Sequence, residues 1–309
     1  MKLLLFEKTE IHPSAVELLR KHEFTIFEPT DPSLPKKDIQ AIFIRTYTQI
    51  NQDLLSEYPG LKYVIRAGVG LENIDLKTCE TRGIKVFNSP GSNANAVAEL
   101  VMCFMLMLIR NITPQMQSLR HGDWRSQYLM GSEIKDKTIG FLGCGAIGKN
   151  LALKLTNFGV KELLGYDPYL TQEQIAPFGF KKCEIPDILK NADLITLHLP
   201  LNNETKNLIT KKEFKQMKKN CYIINTSRGG IINEVDLIDT LKQKKIAGAA
   251  LDVYETEPDI KKEFLDLKNL LLTPHIGGFT REANRAMSIQ AIENFLKYLT
   301  SLRETHDSA

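Results

Sequence analysis

No Cys-X-X-Cys pair occurs in this chain, and its five cysteines, at positions 79, 103, 144, 183 and 221, form no even framework. That spacing excludes a disulfide scaffold and speaks against a thiolate metal centre, so the thiols read as buried groups of a reducing compartment and no metal is expected. Long apolar runs are missing too: none approaches the ~18 residues of a membrane span. The opening Met1-Lys-Leu-Leu-Leu-Phe6 turns charged at Glu7, too early for a secretory signal. A cytoplasmic protein with no membrane partner is expected. Charge of one sign is also scarce. The net charge is +3 over 309 residues. Lysine pairs such as Lys211-Lys212 and Lys218-Lys219 read as solvated helix faces, so no nucleic-acid partner is expected. Internal repeats and low-complexity segments are absent.

What the sequence has instead is alternation. Its length exceeds one domain of ~100–200 residues, so two domains are expected. Short β-rich runs at residues 3–6, 41–45, 63–66 and 85–87 are separated by helical patterns such as 13–21 and 51–58, giving a small βα unit. The turn-rich Asn88-Ser-Pro-Gly-Ser92 ends it. A long apolar helix is predicted over residues 94–112, with Glu99 and Arg110 its conspicuous charges; so apolar a helix must be buried, against its own sheet or a second subunit. A second series follows, with strands predicted at 138–142, 162–166, 194–198, 222–225, 247–251 and 270–272. Helices fit between them at 147–158, 185–190, 211–216 and 234–242. This pattern predicts a doubly wound parallel α/β sheet whose ligands bind at the C-terminal ends of the strands. A final amphipathic helix, over residues 283–302, is placed to return to the first unit.

The sharpest single signal is Gly140-Phe-Leu-Gly-Cys-Gly-Ala-Ile-Gly148. It closes an apolar run, spaces glycines as Gly143, Gly145 and Gly148, and leads into a helical pattern; Asp167 closes the next apolar run. Each part has a physical task at a dinucleotide. Gly143 permits the tight turn, Gly145 lets the backbone approach a pyrophosphate, and Gly148 lets the helix pack close to the strand. The helix N-terminus offers unpaired N–H groups and a partial positive charge. Asp167 can bond a ribose 2′-hydroxyl and would repel a 2′-phosphate, which favours NAD over NADP.

Polar groups follow the later strands in turn: Thr226-Ser-Arg228-Gly-Gly, then Asp252-Val-Tyr-Glu-Thr-Glu257-Pro, then Thr273-Pro-His275-Ile-Gly277-Gly. Hydride transfer to a 2-oxo acid leaves an alkoxide that needs a proton, and His275 is the natural donor near neutral pH. Glu257 would favour the imidazolium and orient the ring. Arg228 presents a planar fork to a substrate carboxylate and can polarise the reacting carbonyl. Asp252 could accept a hydrogen bond from the nicotinamide carboxamide. Each has a plainer reading: a turn histidine after Thr-Pro, a helix-capping arginine, a solvated acidic loop. Their joint occurrence after consecutive strands, downstream of a glycine turn, points to catalysis. His198-Leu-Pro200 reads as a loop lining the adenine side.

Taken together these residues resemble the D-isomer-specific 2-hydroxyacid dehydrogenases over nearly the whole chain. The matching motifs are Arg66-Ala-Gly-Val-Gly70 with Asn73-Ile-Asp75, Asn88-Ser-Pro with Ala96-Val-Ala-Glu99, and the 143–148 turn with Asp167. Further along come His198-Leu-Pro200, Asn225-Thr-Ser-Arg-Gly229, Asp252-Val-Tyr with Glu257-Pro258, and Pro274-His-Ile-Gly277. The resemblance implies Arg228, Glu257 and His275 as catalytic residues. It also implies cofactor contacts at Gly143, Gly145, Ala146, Ile147, Gly148, Tyr166, Asp167, Pro168, His198, Pro200, Thr205, Thr226, Ser227, Arg228, Asp252, His275 and Gly277. Substrate contacts are implied at Arg45, Ala67, Gly68, Val69, Gly70 and Asn93, with Arg228 and His275. The implied architecture is a Rossmann-type NAD-binding domain over residues 93–282. A smaller, flavodoxin-like α/β substrate domain, the lid, would comprise residues 1–92 and 283–309.

Within the family the chain is most similar to phosphoglycerate dehydrogenases, through the Arg66 loop and through Trp124 followed by Met130-Gly-Ser-Glu-Ile-Lys-Asp-Lys-Thr-Ile-Gly-Phe-Leu-Gly143. Arg45 matches an arginine that contacts the substrate phosphate there, although it also reads as an ordinary surface arginine. The resemblance implies NAD-dependent oxidation of D-3-phosphoglycerate to 3-phosphohydroxypyruvate, in serine biosynthesis, by a homodimer. The chain ends soon after its last helix, which implies no serine feedback domain. Reduction of glyoxylate, hydroxypyruvate or another 2-oxo acid is the alternative. An NAD-binding corepressor-like protein is the alternative of another class.

Overall fold

The structure, a computed structural model, describes residues 1–125 and 127–307. It comprises two compact units, one formed by Met1–Asn93 and the segment from Gly278 onward, the other by Ala94–Gly277. Thr280 stands just before the terminal helix, and its Oγ1 accepts the Ala283 amide at 3.0 Å.

The first unit is a parallel sheet of five strands: β1 (Lys2–Leu5), β2 (Thr25–Phe27), β3 (Ala41–Ile44), β4 (Tyr63–Arg66) and β5 (Lys85–Phe87). Helices α1 (Pro13–Lys21), α2 (Gln52–Glu57) and α3 (Leu76–Thr81) connect them, and the strand order is β2-β1-β3-β4-β5. Alternation along the strands covers both faces, as a parallel sheet demands. Leu3, Leu5 and Phe43 point to one face with Leu19 of α1, while Leu4, Ile42 and Ile44 point to the other with Leu55 of α2 and Cys79 of α3. The helix Arg281–Asp307 completes the first face with Ala291, Ile292 and Phe295. The Phe295 ring centroid lies 5.1 Å from that of Tyr63 and 5.3 Å from that of Phe87. Truncating so central a phenylalanine costs ~3–5 kcal/mol.

The second unit opens with α4 (Ala94–Ile109) and α5 (Ile112–Arg120). Its strands are β6 (Thr138–Leu142), β7 (Glu162–Tyr166), β8 (Phe180–Lys182), β9 (Leu194–Leu197), β10 (Tyr222–Asn225), β11 (Gly248–Leu251) and β12 (Leu270–Leu272). Its remaining helices are α6 (Ala146–Leu155), α7 (Gln172–Ile175), α8 (Ile185–Asn191), α9 (Lys211–Phe214) and α10 (Glu234–Lys242). All seven strands are parallel in the order β12-β11-β10-β9-β6-β7-β8. This is the doubly wound sheet that the sequence predicts, with β6 at the point where the winding reverses. Ile139 and Phe141 of β6 pack on α4 and α6 through Phe104, Leu108 and Leu151, while Leu142 faces Ile188 of α8 and Leu237 of α10.

Two departures from the predicted elements have local causes. The apolar helix predicted to reach residue 112 stops at Ile109, because Asn111 takes a left-handed backbone (φ 50°) and α5 sets off at 58°. The strands β2 and β8 escape prediction because each is a three-residue edge strand that includes an exposed polar residue and so carries too short an apolar pattern. Among the described residues no single helix is long and apolar enough to cross a membrane; only the bent pair α4 and α5 reaches that length together. Nor is any group of three His, Cys, Asp or Glu side chains among them placed to hold a metal ion.

Candidate active site

At the end of β6 the chain must turn sharply into α6. Gly143 takes φ +103°, and a Cβ there would meet the His198 carbonyl oxygen at 2.5 Å. A Cβ on Gly148 would stand 2.7 Å from the Gly143 oxygen, so a side chain would prise the helix off the turn. Gly145 differs: nothing lies within 4 Å of where its Cβ would be. It caps α6 with no side-chain hydrogen bond, leaving the first amides of Ala146 and Ile147 to an incoming acceptor. An open backbone before an uncapped, ten-residue helix suits a pyrophosphate.

Asp167 fixes this turn from the neighbouring strand. Its Oδ2 accepts the Cys144 amide at 3.0 Å, and its Oδ1 accepts the Tyr169 and Leu170 amides at 3.0 and 3.2 Å. Three of about four acceptor positions on the carboxylate are thus engaged by backbone. Tyr166 contributes its carbonyl, which accepts the Gly143 amide at 2.8 Å, and Pro168 lies between Asp167 and the amides it binds. Cys144, inside the turn, is buried, and burial pushes its thiol up to about 12.

Just after β9, the His198 Nε2 lies 3.0 Å from the Thr196 hydroxyl while its Nδ1 is buried without a partner. Burial pushes the ring down to about 3, so it is a neutral imidazole. Thr205 closes the following loop, donating to the Pro200 carbonyl at 2.6 Å. After β10, Asn225 organises the turn: its Oδ1 accepts the Ser227 amide and hydroxyl at 3.0 and 2.7 Å, and its Nδ2 donates to the Arg228 carbonyl at 2.8 Å. Arg228 Nη1 donates to the Ser227 carbonyl at 2.6 Å. The Thr226 hydroxyl is buried without a partner. Two orphaned polar groups, at Thr226 and His198, beside an uncapped helix start are what a polar ligand would satisfy, and the residues fit a dinucleotide.

The strands β10, β11 and β12 are neighbours, so the groups at their ends are brought together. Glu257 Oε2 lies 2.7 Å from His275 Nδ1, and its Oε1 accepts the Tyr254 amide at 3.0 Å. That hydrogen bond to Glu257 raises the His275 pKa above the ordinary value; burial opposes it, the charges of Glu257 and Asp252 add to it, and Arg228 counters it. Burial alone would raise the Glu257 carboxyl, but the bond and charge of His275, with the Tyr254 amide and Arg228, bring it below the usual range. His275 stands at φ 53°, a left-handed backbone uncommon outside glycine. The turn is held by fully buried Asp252, which accepts the Thr273 hydroxyl at 2.5 Å and the Ile276 and Gly277 amides at 2.7 Å each. Burial raises the Asp252 carboxyl against these three donors.

The remaining substrate candidates lie in the first unit. Arg45 is buried, and its Nη1 donates to the Glu10 carbonyl at 2.7 Å and to Asn284 Oδ1 at 2.6 Å. Ala67 is buried; the Gly68 carbonyl accepts the Ser89 amide and hydroxyl, the Val69 carbonyl accepts Asn88 Nδ2 at 2.7 Å, and the Gly70 carbonyl accepts Arg66 Nη1. Asn93 lies against Gly278, where a Cβ would meet its Nδ2 at 3.0 Å. Sequence reasoning misses Glu7. Its carboxylate accepts the amides of Arg45, Thr46 and Tyr47 at 2.9, 2.7 and 2.8 Å, and that of Thr48, while Asn73 Nδ2 donates to the Thr48 carbonyl at 2.8 Å. Asn225 and Thr273 it names only as members of their motifs, without a role of their own. An amide or hydroxyl residue closing a strand before a candidate catalytic group was the available signal.

The chain is similar to several known proteins. Residues 102–277 match the family model described as D-isomer specific 2-hydroxyacid dehydrogenase, NAD binding domain. A hydroxypyruvate reductase of Thermotoga maritima is 36% identical over 299 residues, covering 96% of this chain and 94% of that protein. A D-3-phosphoglycerate dehydrogenase of Methanocaldococcus jannaschii is 39% identical over 264 residues, covering 85% of this chain; the matched region spans 50% of that longer protein. Among solved structures, a D-lactate dehydrogenase of Aquifex aeolicus complexed with NAD and lactic acid superposes with a TM-score of 0.82. It is 25% identical and covers 98% of this chain and 97% of that one.

Proposed function

Because the chain belongs to the D-isomer specific 2-hydroxyacid dehydrogenase family, we propose that it interconverts a D-2-hydroxy acid and its 2-oxo acid, with 3-phosphoglycerate as the leading substrate. The observation that carries the chemistry is the 2.7 Å pair of Glu257 and His275 at strand ends adjacent to that of Arg228. Bound at the glycine turn, NAD supplies the acceptor or donor of hydride. Glu257 holds His275 through Nδ1, which leaves Nε2 to give a proton to the forming alkoxide in reduction or take one from the hydroxyl in oxidation. Arg228 offers its fork to the substrate carboxylate and favours negative charge growing on the carbonyl oxygen. Glu257, ionised, stabilises the imidazolium state.

Asp167 favours NAD over NADP, since a carboxylate beside the turn would repel a 2′-phosphate and Asp167-Pro-Tyr-Leu170 brings no arginine to pair one. Resemblance to phosphoglycerate dehydrogenases supports the phosphorylated substrate and a place in serine biosynthesis. Reduction of hydroxypyruvate is the second reading. It is favoured by Arg45, whose Nη1 is engaged by Glu10 and Asn284, and by the match along nearly all of the Thermotoga reductase. A panel of 3-phosphoglycerate, 3-phosphohydroxypyruvate, hydroxypyruvate, glyoxylate and pyruvate, followed by NADH absorbance, decides between them. Preference for the phosphorylated pair supports the first reading, and equal or better turnover of hydroxypyruvate replaces it with the second. NADH binding without turnover of any of them would overturn the enzyme reading in favour of a corepressor-like role.

A homodimer is the assembly we infer. Ile112, Met116 and Leu119 of α5, with Trp124, Tyr128 and Met130, are exposed apolar side chains in one stretch of chain, between 37% and 100% exposed. Light scattering should give twice 35.0 kDa, and a monomeric mass would exclude the dimer.

A further inference from the structure

A buried carboxylate lies beside the active-site loop and takes no part in the chemistry above. Glu234, the first residue of α10, is 3% exposed. Its Oε1 accepts the Glu255 amide at 2.7 Å, and its Oε2 lies 2.6 Å from Lys261 Nζ. The same ammonium reaches Glu255 Oε2 at 2.8 Å, and Glu255 Oε1 accepts the Glu234 amide at 3.3 Å. Both shoulders of the loop that carries Glu257 are therefore tied to one acid: the backbone two residues before it and the side chain four residues after it. A small cavity lined by Asn225, Gly229, Glu234 and Val253 links this acid to the turn that presents Arg228. Gly229 itself sits against the Tyr254 carbonyl, where a side chain has no room.

We propose that Glu234 and Lys261 are positioning residues for proton transfer, locking the 255–261 loop so that Glu257 faces His275. This rests on the Glu257–His275 reading above. A buried carboxylate without its cation carries an uncompensated charge, so losing Lys261 frees the loop even though the lysine touches nothing reactive. Glu257 then keeps the Tyr254 amide, but on a loop whose Lys261 end is no longer tied and whose remaining link to Glu234 is the Glu255 backbone. His275 would lose the partner that orients it and keeps it protonated, while Asp252 and Arg228, the other charges facing it, stay in place.

The test uses the full chain with Lys261→Met and Glu234→Gln, the second retaining an acceptor for the Glu255 amide. Three quantities are read: NADH affinity by fluorescence, kcat for reduction of a 2-oxo acid across pH, and the titration of the His275 ring by NMR. NADH affinity should stay within about twofold, whereas kcat should fall roughly tenfold, as for outer residues that orient a catalytic group. The His275 titration, and the fall of reductive kcat with rising pH, should both move to lower pH. Lys261→Arg should restore both. A His275 titration unchanged in Lys261→Met, or a kcat loss with an unmoved pH profile, would overturn the proposal. The NMR titration decides the brace even if the wild type reduces no 2-oxo acid, an outcome that would remove the enzyme reading alone.

Discussion

The carboxylate of Asp252 accepts the Gly277 amide at 2.7 Å, and through this bond and its neighbour to Ile276 it fixes the left-handed turn on which His275 stands. The catalytic candidate is held by backbone that is itself held by a buried acid. Asp252→Asn should show this directly. One of the two amides would face an amide NH2 in place of an acceptor, leaving a buried donor unpaired at a cost of ~1–3 kcal/mol. Denaturant melts should record that loss, and kcat should fall with it; an unchanged melt would mean the turn does not depend on this acid.

Glu257→Gln separates orientation from charge. The glutamine can still bond Nδ1 but no longer favours the imidazolium, so the His275 pKa should fall towards the ordinary ~6.5. The sign follows from which form works. Reduction needs the protonated ring and proceeds below the folded pKa, so its upper limit in pH should move down in the variant. Oxidation needs the neutral ring and should begin at lower pH. The same raised pKa gives the wild type a stability contribution that is full below ~6.5 and fades as pH rises through the folded value, and the variant should lose it. Superimposable pH–rate profiles would refute the pairing.

His275→Ala should lower turnover by about 10²–10⁴-fold, the usual contribution of a general acid–base group, with NADH affinity retained. Retained turnover would remove His275 from the mechanism.

Gly143→Ala tests the turn. At φ +103° with a carbonyl oxygen 2.5 Å from the new methyl, the substitution is strained both by conformation and by contact. A loss of ~1–3 kcal/mol in stability is expected, together with weakened NADH binding in a fluorescence titration. Gly145→Ala, at the open glycine, should leave the melting temperature nearly unchanged and weaken NADH binding only. Equal behaviour of the two variants would contradict the division of labour.

Asp167→Ala removes a carboxylate that serves three backbone amides. Lower thermal stability should accompany a narrowed preference for NADH over NADPH. A variant with altered preference and wild-type stability would show that the brace is dispensable.

How much of this was legible depends on where information is written in a chain. The strands of the second unit stand out because buried parallel strands are continuous apolar runs, and each catalytic candidate lies in the loop that follows one. Glycine at 143 announces its own conformation. By contrast β2 and β8, edge strands of three residues, carry too little pattern to be seen. The break at Asn111 rests on a single backbone angle. The partners of Asp167 and Glu7 are backbone amides, and an amide has no letter. Asp167 could be read as a ribose ligand because that task belongs to the residue type; its task as a brace is visible only in space. Arg45 shows the same limit, since the groups that engage its Nη1 are Glu10 and Asn284, far apart in sequence.

The first unit closes over its sheet with a helix encoded at the other end of the chain. During synthesis, Leu3, Leu5 and Phe43 leave the ribosome long before Phe295 exists. At ~5–20 residues per second the sheet waits roughly 10–40 s for its cover, while the second unit, continuous in sequence, can assemble meanwhile. Until then the face formed by Leu3, Leu5 and Phe43 has only α1 packed against it, so that half of the core is completed by the segment of the unit that is translated last.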